Sequence, residues 1–388
     1  MDTIKRRLTD QLKADLARDK SILLLGPRQT GKTTLTQSLQ SDLSLSFLLP
    51  STRMRFEREP ELLLKEIEAL PASPKLPLVV LDEIQKVPDL LDVIQYIIDQ
   101  NKAKFILTGS SARKLRRKAS VNLLPGRVLY YKLDPLIIPE NPIQDLTHHL
   151  TYGSLPGICL LENAAEKEKE LDSYVSLYME EEIRAEAVVR NIQAFSKFLM
   201  CAGSEAGQAL NFAKLSQDIG VSQSTIASYY EILEDCLIIQ RIMPLGGSSR
   251  RRLTKAPKYL LFDLGIRRLC TQEPAQLSEA ALGGLFEQFI GLELLRFTHQ
   301  STQKTQLLYW RDHNGPEVDW ILETNKTLIP IEVKWTSAPT EKDQRHLTTF
   351  MQEYNCKEGY IVCQTPRPFK LGPGITALPW QQLWQALG

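Results

Sequence analysis

Four short runs of consecutive apolar residues mark the first third of the chain: Ile22-Leu23-Leu24-Leu25, Leu78-Val79-Val80-Leu81, Phe105-Ile106-Leu107 and Val128-Leu129-Tyr130-Tyr131. The runs are continuous rather than alternating, which is the pattern of strands covered on both faces. Residues 1–140 are therefore expected to alternate strands with helices around a parallel sheet. Pro135, Pro139 and Pro142 break this pattern. Residues 141–205 then read as helical, entered through Gly153-Ser154-Leu155-Pro156-Gly157 and running through Tyr174 to Ile183. Between 206 and 262 the chain reads as a helix over Phe212–Ile219, a turn at Gly220, a second helix capped by Ser222, and a ribbon beginning at Leu237-Ile238-Ile239. In 263–388, Glu317 to Leu322 alternates faces as a strand, Asn325-Lys326 turns, and Leu328 to Trp335 returns. Tyr360 to Cys363 supplies a further buried strand.

Chemistry enters where the first strand ends. Gly26-Pro27-Arg28-Gln29-Thr30-Gly31-Lys32-Thr33 fits G-x-x-x-x-G-K-[ST], directly after Leu25 and ahead of a helix opening at Thr33-Thr34-Leu35. A polyphosphate needs this arrangement. Glycines let backbone N–H groups curl inward, Lys32 offers a point charge to the β- and γ-phosphates, and the Thr33 hydroxyl suits Mg²⁺. The expected nucleotide ligands are Gly26, Pro27, Arg28, Gln29, Thr30, Gly31, Lys32, Thr33 and Thr34; a glycine turn that merely joins strand to helix is the alternative. The second run ends in Asp82-Glu83, with Asp82 expected in the Mg²⁺ shell and Glu83 beside the water that attacks the γ-phosphate. The third ends in Thr108-Gly109-Ser110-Ser111, whose hydroxyls, Ser110 among them, suit γ-phosphate sensing or water positioning. Capping the next helix is their other use. Arg127, after Gly126, is the first candidate to reach a neighbour's γ-phosphate in an oligomer, and Arg113, in the basic run 111–118, is the second. For both, a solvated face or an acidic partner in the same chain is the alternative.

Two further constellations follow. Ser222, Gln223, Ser224 and Thr225 open the second helix of 206–262, where short polar side chains reach base edges. Gly246-Gly247-Ser248-Ser249-Arg250-Arg251-Arg252 has the composition of a basic wing for phosphate contacts. The same helix–turn–helix shape also serves as a plain packing unit. In the C-terminal hairpin, Glu332 and Lys334 are two apart and share a face, with Asp319 on the partner strand. Together they can gather two carboxylates and the Val333 carbonyl around Mg²⁺ or Mn²⁺ while Lys334 orients a water for phosphodiester attack. Glu287, in the helix 285–290, is placed to add a carboxylate. An ion-paired hairpin without metal is the alternative.

Composition narrows this little. At 388 residues, 43% hydrophobic and 24% charged, the chain is an ordinary globular protein of several domains. A net charge of +1 means that any basic, nucleic-acid-binding surface must be local. No apolar run is long enough to cross a membrane, and the start is charged rather than signal-like. The six cysteines are scattered, with no Cys-x-x-Cys, as expected of reduced thiols in a cytoplasmic protein. His148-His149 reads as a surface pair.

Taken together, Gly26–Thr34, Leu81–Gln85, Leu107–Ser111, Gly126-Arg127, Lys255–Lys258, Phe262–Gly265, Glu287, Glu317–Asp319 and Pro330–Lys334 resemble, over essentially the full length, a group of prokaryotic AAA-type ATPases. These join a P-loop core and a winged helix to a C-terminal domain of the PD-(D/E)xK nuclease superfamily. One departure is Leu123-Leu124-Pro125, where that group continues a helix. The resemblance implies an α/β chain with four parts. They are a P-loop AAA-type core with a parallel sheet (1–140), a helical lid packed on it (141–205), a winged helix-turn-helix (206–262) and a C-terminal α/β restriction-endonuclease-like domain (263–388). It implies ATP and Mg²⁺ as ligands, DNA as partner, no membrane, and a homo-oligomer. Three activities fit: an ATP-dependent nuclease, a DNA-binding ATPase switch that does not cut, and a protein-remodelling or signalling ATPase.

Overall fold

The computed structural model describes residues 4–111, 124–141, 143–179, 191–246, 256–312, 315–325 and 327–388. The chain divides into two compact units, Met1–Leu136 with Asp235–Ile238, and Ile137–Glu234 with Ile239–Gly388. In the first, β1 (Ser21–Leu25), β2 (Leu43–Ser46), β3 (Leu78–Asp82), β4 (Lys104–Gly109) and β5 (Val128–Lys132) form one sheet in the order β2-β3-β4-β1-β5. Every neighbouring pair is parallel. Both faces are covered, which is why the runs do not alternate. Leu23, Leu25, Val79, Leu81, Phe105 and Leu107 pack on one side with Phe56, Leu63 and Ile94. Ile22, Leu24, Leu78, Val80 and Ile106 pack on the other with Leu8, Leu12 and Leu35. Each such side chain contributes about 1.5–3 kcal/mol on burial. Only β2 is absent from the sequence reading. Its Leu-Ser-Leu-Ser stretch lies at the sheet edge, half-exposed, and shows no apolar run. Because the strands are parallel, the turns after β1, β3 and β4 leave from one edge, and those turns carry the nucleotide motifs.

The second unit is built on an eight-stranded sheet. Its strands are β6 (Ile239–Pro244), β7 (Lys258–Leu261), β8 (Thr305–Arg311), β9 (Glu317–Thr324), β10 (Thr327–Val333), β11 (Gly359–Cys363), β12 (Phe369–Gly372) and β13 (Ile375–Pro379). They lie in the order β12-β13-β11-β10-β9-β8-β6-β7. The expected hairpin is β9–β10, paired up to Ile331 opposite Trp320. The long helix Glu279–Gln300 covers one face through Phe286, Phe289 and Ile290. The helix Arg345–Glu353 covers the other through Leu347 and Phe350. Helices Phe212–Ile219 and Gln223–Asp235 appear as expected, followed by the antiparallel pair β6–β7. Of the wing sequence 246–252, all but Gly246 lies outside the described residues.

The helices expected at 141–205 share this second unit, and a buried carboxylate explains the join. Asp263 is fully buried and caps the helix Leu264–Cys270 at Ile266 N–H (3.2 Å) while accepting the Ser154 N–H (2.7 Å) and Oγ–H (3.2 Å). Gly153 must be glycine there, because a Cβ would sit 2.1 Å from Asp263 Oδ1 and its φ is +75°. Arg268 adds bonds to the Thr151 carbonyl (2.9 Å) and Glu168 (2.5 Å). The His148-His149 pair, expected at the surface, divides. His149 is buried, edge-on to Phe289 at 5.1 Å between ring centroids, and burial followed by the Arg296 charge pushes its pKa down to about 3.

Candidate functional site

The phosphate loop begins where β1 has no further apolar residue to bury. Gly26 N–H donates to the Gly109 carbonyl at 3.2 Å, and a Cβ on Gly26 would lie 2.3 Å from the Leu133 carbonyl oxygen. Glycine is therefore required for the loop to pass so close to the end of β5. Within the loop, Thr30 Oγ1 donates to the Pro27 carbonyl (2.9 Å), and Lys32 Nζ reaches the carbonyls of Gly26 (2.8 Å) and Pro27 (2.9 Å). Gly31 precedes the helix Lys32–Gln37 with φ +91°. Thr33 and Thr34 are exposed at its first turn, Arg28 is half-buried and Gln29 exposed. Arg6, buried, donates to the Thr30 carbonyl (2.6 Å) and to the Asp134 carbonyl (2.6 Å), and so ties the loop to the end of β5.

The acidic pair arrives from β3 as expected. Thr33 Oγ1 and Ser46 Oγ lie 3.4 and 3.5 Å from Asp82 Oδ2, and Thr108 Oγ1 donates to Asp82 Oδ1. Glu83 sits in the left-handed region at φ +60°, an uncommon conformation for a residue with a Cβ, and its N–H donates to Thr108 Oγ1 at 3.2 Å. Its carboxylate accepts from the Gln85 side-chain amide and from Ser110 Oγ (3.2 Å), which also accepts from Gln85 Nε2 (3.2 Å). Lys32, Thr33, Asp82, Glu83 and Ser110 thus gather at one sheet edge. Sequence reasoning passed over Gln85 and Arg6 in these roles, since a glutamine two residues after an acidic pair and an arginine in a charged leader carry no local signal.

Arg127 does not stand open. Its guanidinium forks onto Asp99, with Nε 2.8 Å from Oδ1 and Nη2 3.1 Å from Oδ2, and holds the Asp99 carboxyl below its usual range. That is the acidic intrachain partner named as the alternative. Arg113 lies outside the described residues.

In the second unit, Asp319, Glu332, Lys334 and Glu287 form one charged group. Asp319 Oδ2 accepts the Val333 N–H at 2.8 Å, just past the last paired residues of β9 and β10. Lys334 Nζ lies 2.8 Å from Glu332 Oε1, whereas Glu332 Oε2 is buried and has no hydrogen-bond partner among the described residues. Burial and the nearby Asp319 push Glu332 up to about 8 and Glu287 up to about 7, and burial raises Asp319 as well. Lys258, not anticipated as a site residue, reaches Glu317 Oε1 at 2.8 Å and Glu287 Oε1 at 3.6 Å. As they stand, no three His, Cys, Asp or Glu side chains among the described residues form a group that would hold a metal ion. On the helix Gln223–Asp235, Ser222 Oγ accepts the Thr225 N–H (3.1 Å), and Ser222, Gln223 and Ser224 are exposed. No helix among the described residues is long and apolar enough to cross a membrane.

Comparison with known proteins divides the chain in three. Residues 18–141 match the AAA domain family, residues 143–276 a domain of unknown function (DUF8612), and residues 282–383 another domain of unknown function (DUF4143). The uncharacterized protein Rv2008c of Mycobacterium tuberculosis is 24% identical over 394 residues, covering 98% of this chain and 84% of the relative. The uncharacterized protein MJ1637 of Methanocaldococcus jannaschii is 23% identical over 438 residues, covering 98% and 87%. Among solved structures, the Aeropyrum pernix ORC1 protein in complex with DNA aligns with TM-score 0.28 and 16% identity, covering 71% of this chain and 94% of that one. The parallel-sheet unit with its phosphate loop is accordingly a P-loop domain of the AAA type.

Proposed function

We propose that this AAA-type domain binds ATP with Mg²⁺ and hydrolyses it, and that the nucleotide state governs a second unit that handles DNA. The observation that carries the reading is the convergence of Thr33, Asp82, Glu83 and Ser110 beside the phosphate loop. Gly26 to Thr34 cradle the phosphates, and the Lys32 ammonium exchanges its loop carbonyls for β- and γ-phosphate oxygens. The exposed Thr33 hydroxyl and the Asp82 carboxylate are hard oxygen donors 3.4 Å apart and suit Mg²⁺, which when bound offsets phosphate charge. Glu83 takes the proton of the attacking water, held in place by Gln85 and Ser110. Comparing ATP binding and hydrolysis in Lys32→Ala and Glu83→Gln tests this assignment. Equal loss of binding in both would sink it.

A second reading, favoured by Glu332 Oε2, which has no hydrogen-bond partner among the described residues, and by the crowding of Glu287, Asp319 and Glu332, is metal-dependent phosphodiester cleavage in the second unit. Asp319 and Glu332 would hold Mg²⁺ or Mn²⁺, Glu287 would join them once drawn away from Lys258, and Lys334 would orient the water. Incubation with plasmid and either ion is decisive. Intact plasmid, together with DNA binding that weakens as salt rises, leaves the DNA-binding switch that does not cut. Hydrolysis per subunit that rises with concentration supports a homo-oligomer using Arg127 in place of its Asp99 pairing.

A further inference from the structure

Lys258 opens β7 directly after Ala256-Pro257 and is 2% exposed. Its ammonium lies between Glu317 and Glu287, with the ring centroids of Tyr309 and Trp320 at 5.0 and 5.1 Å. A lone buried ammonium is unfavourable. Here two carboxylates and two ring faces surround it, so the charge is kept. Trp320 is fixed in turn by its indole N–H on the Glu287 carbonyl at 3.2 Å. Glu287 is therefore shared. It meets Lys258 at 3.6 Å, and the negative charges of Asp319 and Glu332 lie close enough to act on the same cluster.

We propose that Lys258 is the resident cation of this carboxylate cluster. It competes with a divalent ion for Glu287 and so sets how tightly Asp319 and Glu332 hold Mg²⁺ or Mn²⁺. The proposal rests on the metal reading given above. Lys334 is the natural contrast, because its ammonium meets Glu332 from a side chain 35% exposed, where water screens its charge. A fixed positive charge beside the ligands opposes a second cation most where water is excluded. Removing Lys258 should therefore tighten metal binding far more than removing Lys334.

The test is Mn²⁺ titration of the full chain without nucleotide, by calorimetry and by electron paramagnetic resonance, counting only binding that Asp319→Ala abolishes. Lys258→Met and Lys258→Gln are expected to bind Mn²⁺ at least tenfold more tightly than the natural chain, Lys258→Arg about as the natural chain, and Lys334→Met in between. Circular dichroism and a cooperative melt confirm that each variant is folded, and the glutamine variant serves where the methionine variant is not. Asp319-dependent binding of equal or lower affinity in Lys258→Met and Lys258→Gln overturns the proposal and leaves the metal reading standing. Tightening in Lys258→Arg equal to that in Lys258→Met also overturns it, because packing rather than charge is then responsible. Absence of Asp319-dependent binding in every variant overturns both.

Discussion

The nucleotide edge and the charged group of the second unit treat their carboxylates in opposite ways. At the nucleotide edge, Asp82 and Glu83 are surrounded by neutral donors, namely the hydroxyls of Thr33, Ser46, Thr108 and Ser110 and the amide of Gln85. Around Glu287, Glu317, Glu332 and Glu293 of the second unit, carboxylates instead meet cations and one another, whereas Asp263 is held by neutral donors. Lys258 sits between Glu287 and Glu317, Lys334 on Glu332, and Arg296 on the buried Glu293 at 2.9 Å. Neutral donors orient a carboxylate without cancelling its charge, which leaves it available to a cation or a proton brought by substrate. Ammonium partners cancel the charge, so a new cation must displace the old one. The first arrangement suits turnover and the second suits a standing structure that an incoming ion has to open.

The largest effect that would break or sharpen this contrast is on hydrolysis. Glu83→Gln should lower the ATPase rate by about 100- to 10,000-fold, the range a general base supplies, with ATP affinity kept. Phosphate release and equilibrium binding measured on the same preparation separate the two. Next in size is the buried pair. Glu293→Ala strands the Arg296 charge in the interior and should destabilise the second unit by about 3–5 kcal/mol, read from denaturant unfolding. If Glu293→Ala costs no more than a surface change, the second unit does not depend on its ionic pairs.

His149 gives a smaller and pH-dependent effect. Its folded pKa of about 3 lies below the ordinary value of 6.5, so only the unfolded chain takes up a proton in between. Stability from this group is fully present above pH 6.5 and falls by about 1.4 kcal/mol per pH unit as pH drops toward 3. The melting difference between the natural chain and His149→Gln should shift against the natural chain as pH goes from 7 to 5, and a constant difference refutes the assignment. The smallest effect belongs to Arg127. Its pairing with Asp99 is solvent-exposed, and Asp99→Asn should leave the melting temperature unchanged within error. In the same variant, hydrolysis should rise more steeply with protein concentration if Arg127 serves a neighbour.

The nucleotide site was readable because its parts are local. A strand, eight loop residues and a helix are contiguous, and Asp82-Glu83 closes a run whose apolarity already fixes it as a strand. The β9–β10 hairpin was readable for the same reason. What the sequence concealed are side chains whose partners lie far along the chain. Arg6 bonds 128 residues away and Asp263 109 residues away, so each looks like an ordinary surface charge until the fold exists. Lys258 is hidden likewise, since its partners come from a helix and a strand that follow it. His149 was misplaced because Leu146 and Leu150, spaced one turn apart on a seven-residue helix, do not reveal that the buried face runs on through His149, Thr151 and Tyr152.

The Arg6 clasp also orders events in time. Arg6 leaves the ribosome 128 residues ahead of Asp134, whose carbonyl it must reach, an interval on the order of ten seconds at ~5–20 residues per second. Leu133, whose carbonyl crowds Gly26, emerges just one residue before Asp134. From the synthesis of Thr33 onward the motif is complete as a sequence, yet two of the groups that shape its loop have still to be synthesised. The nucleotide loop therefore takes its final form only after residue 134 of the 388 has been made, once β5 has been laid along β1.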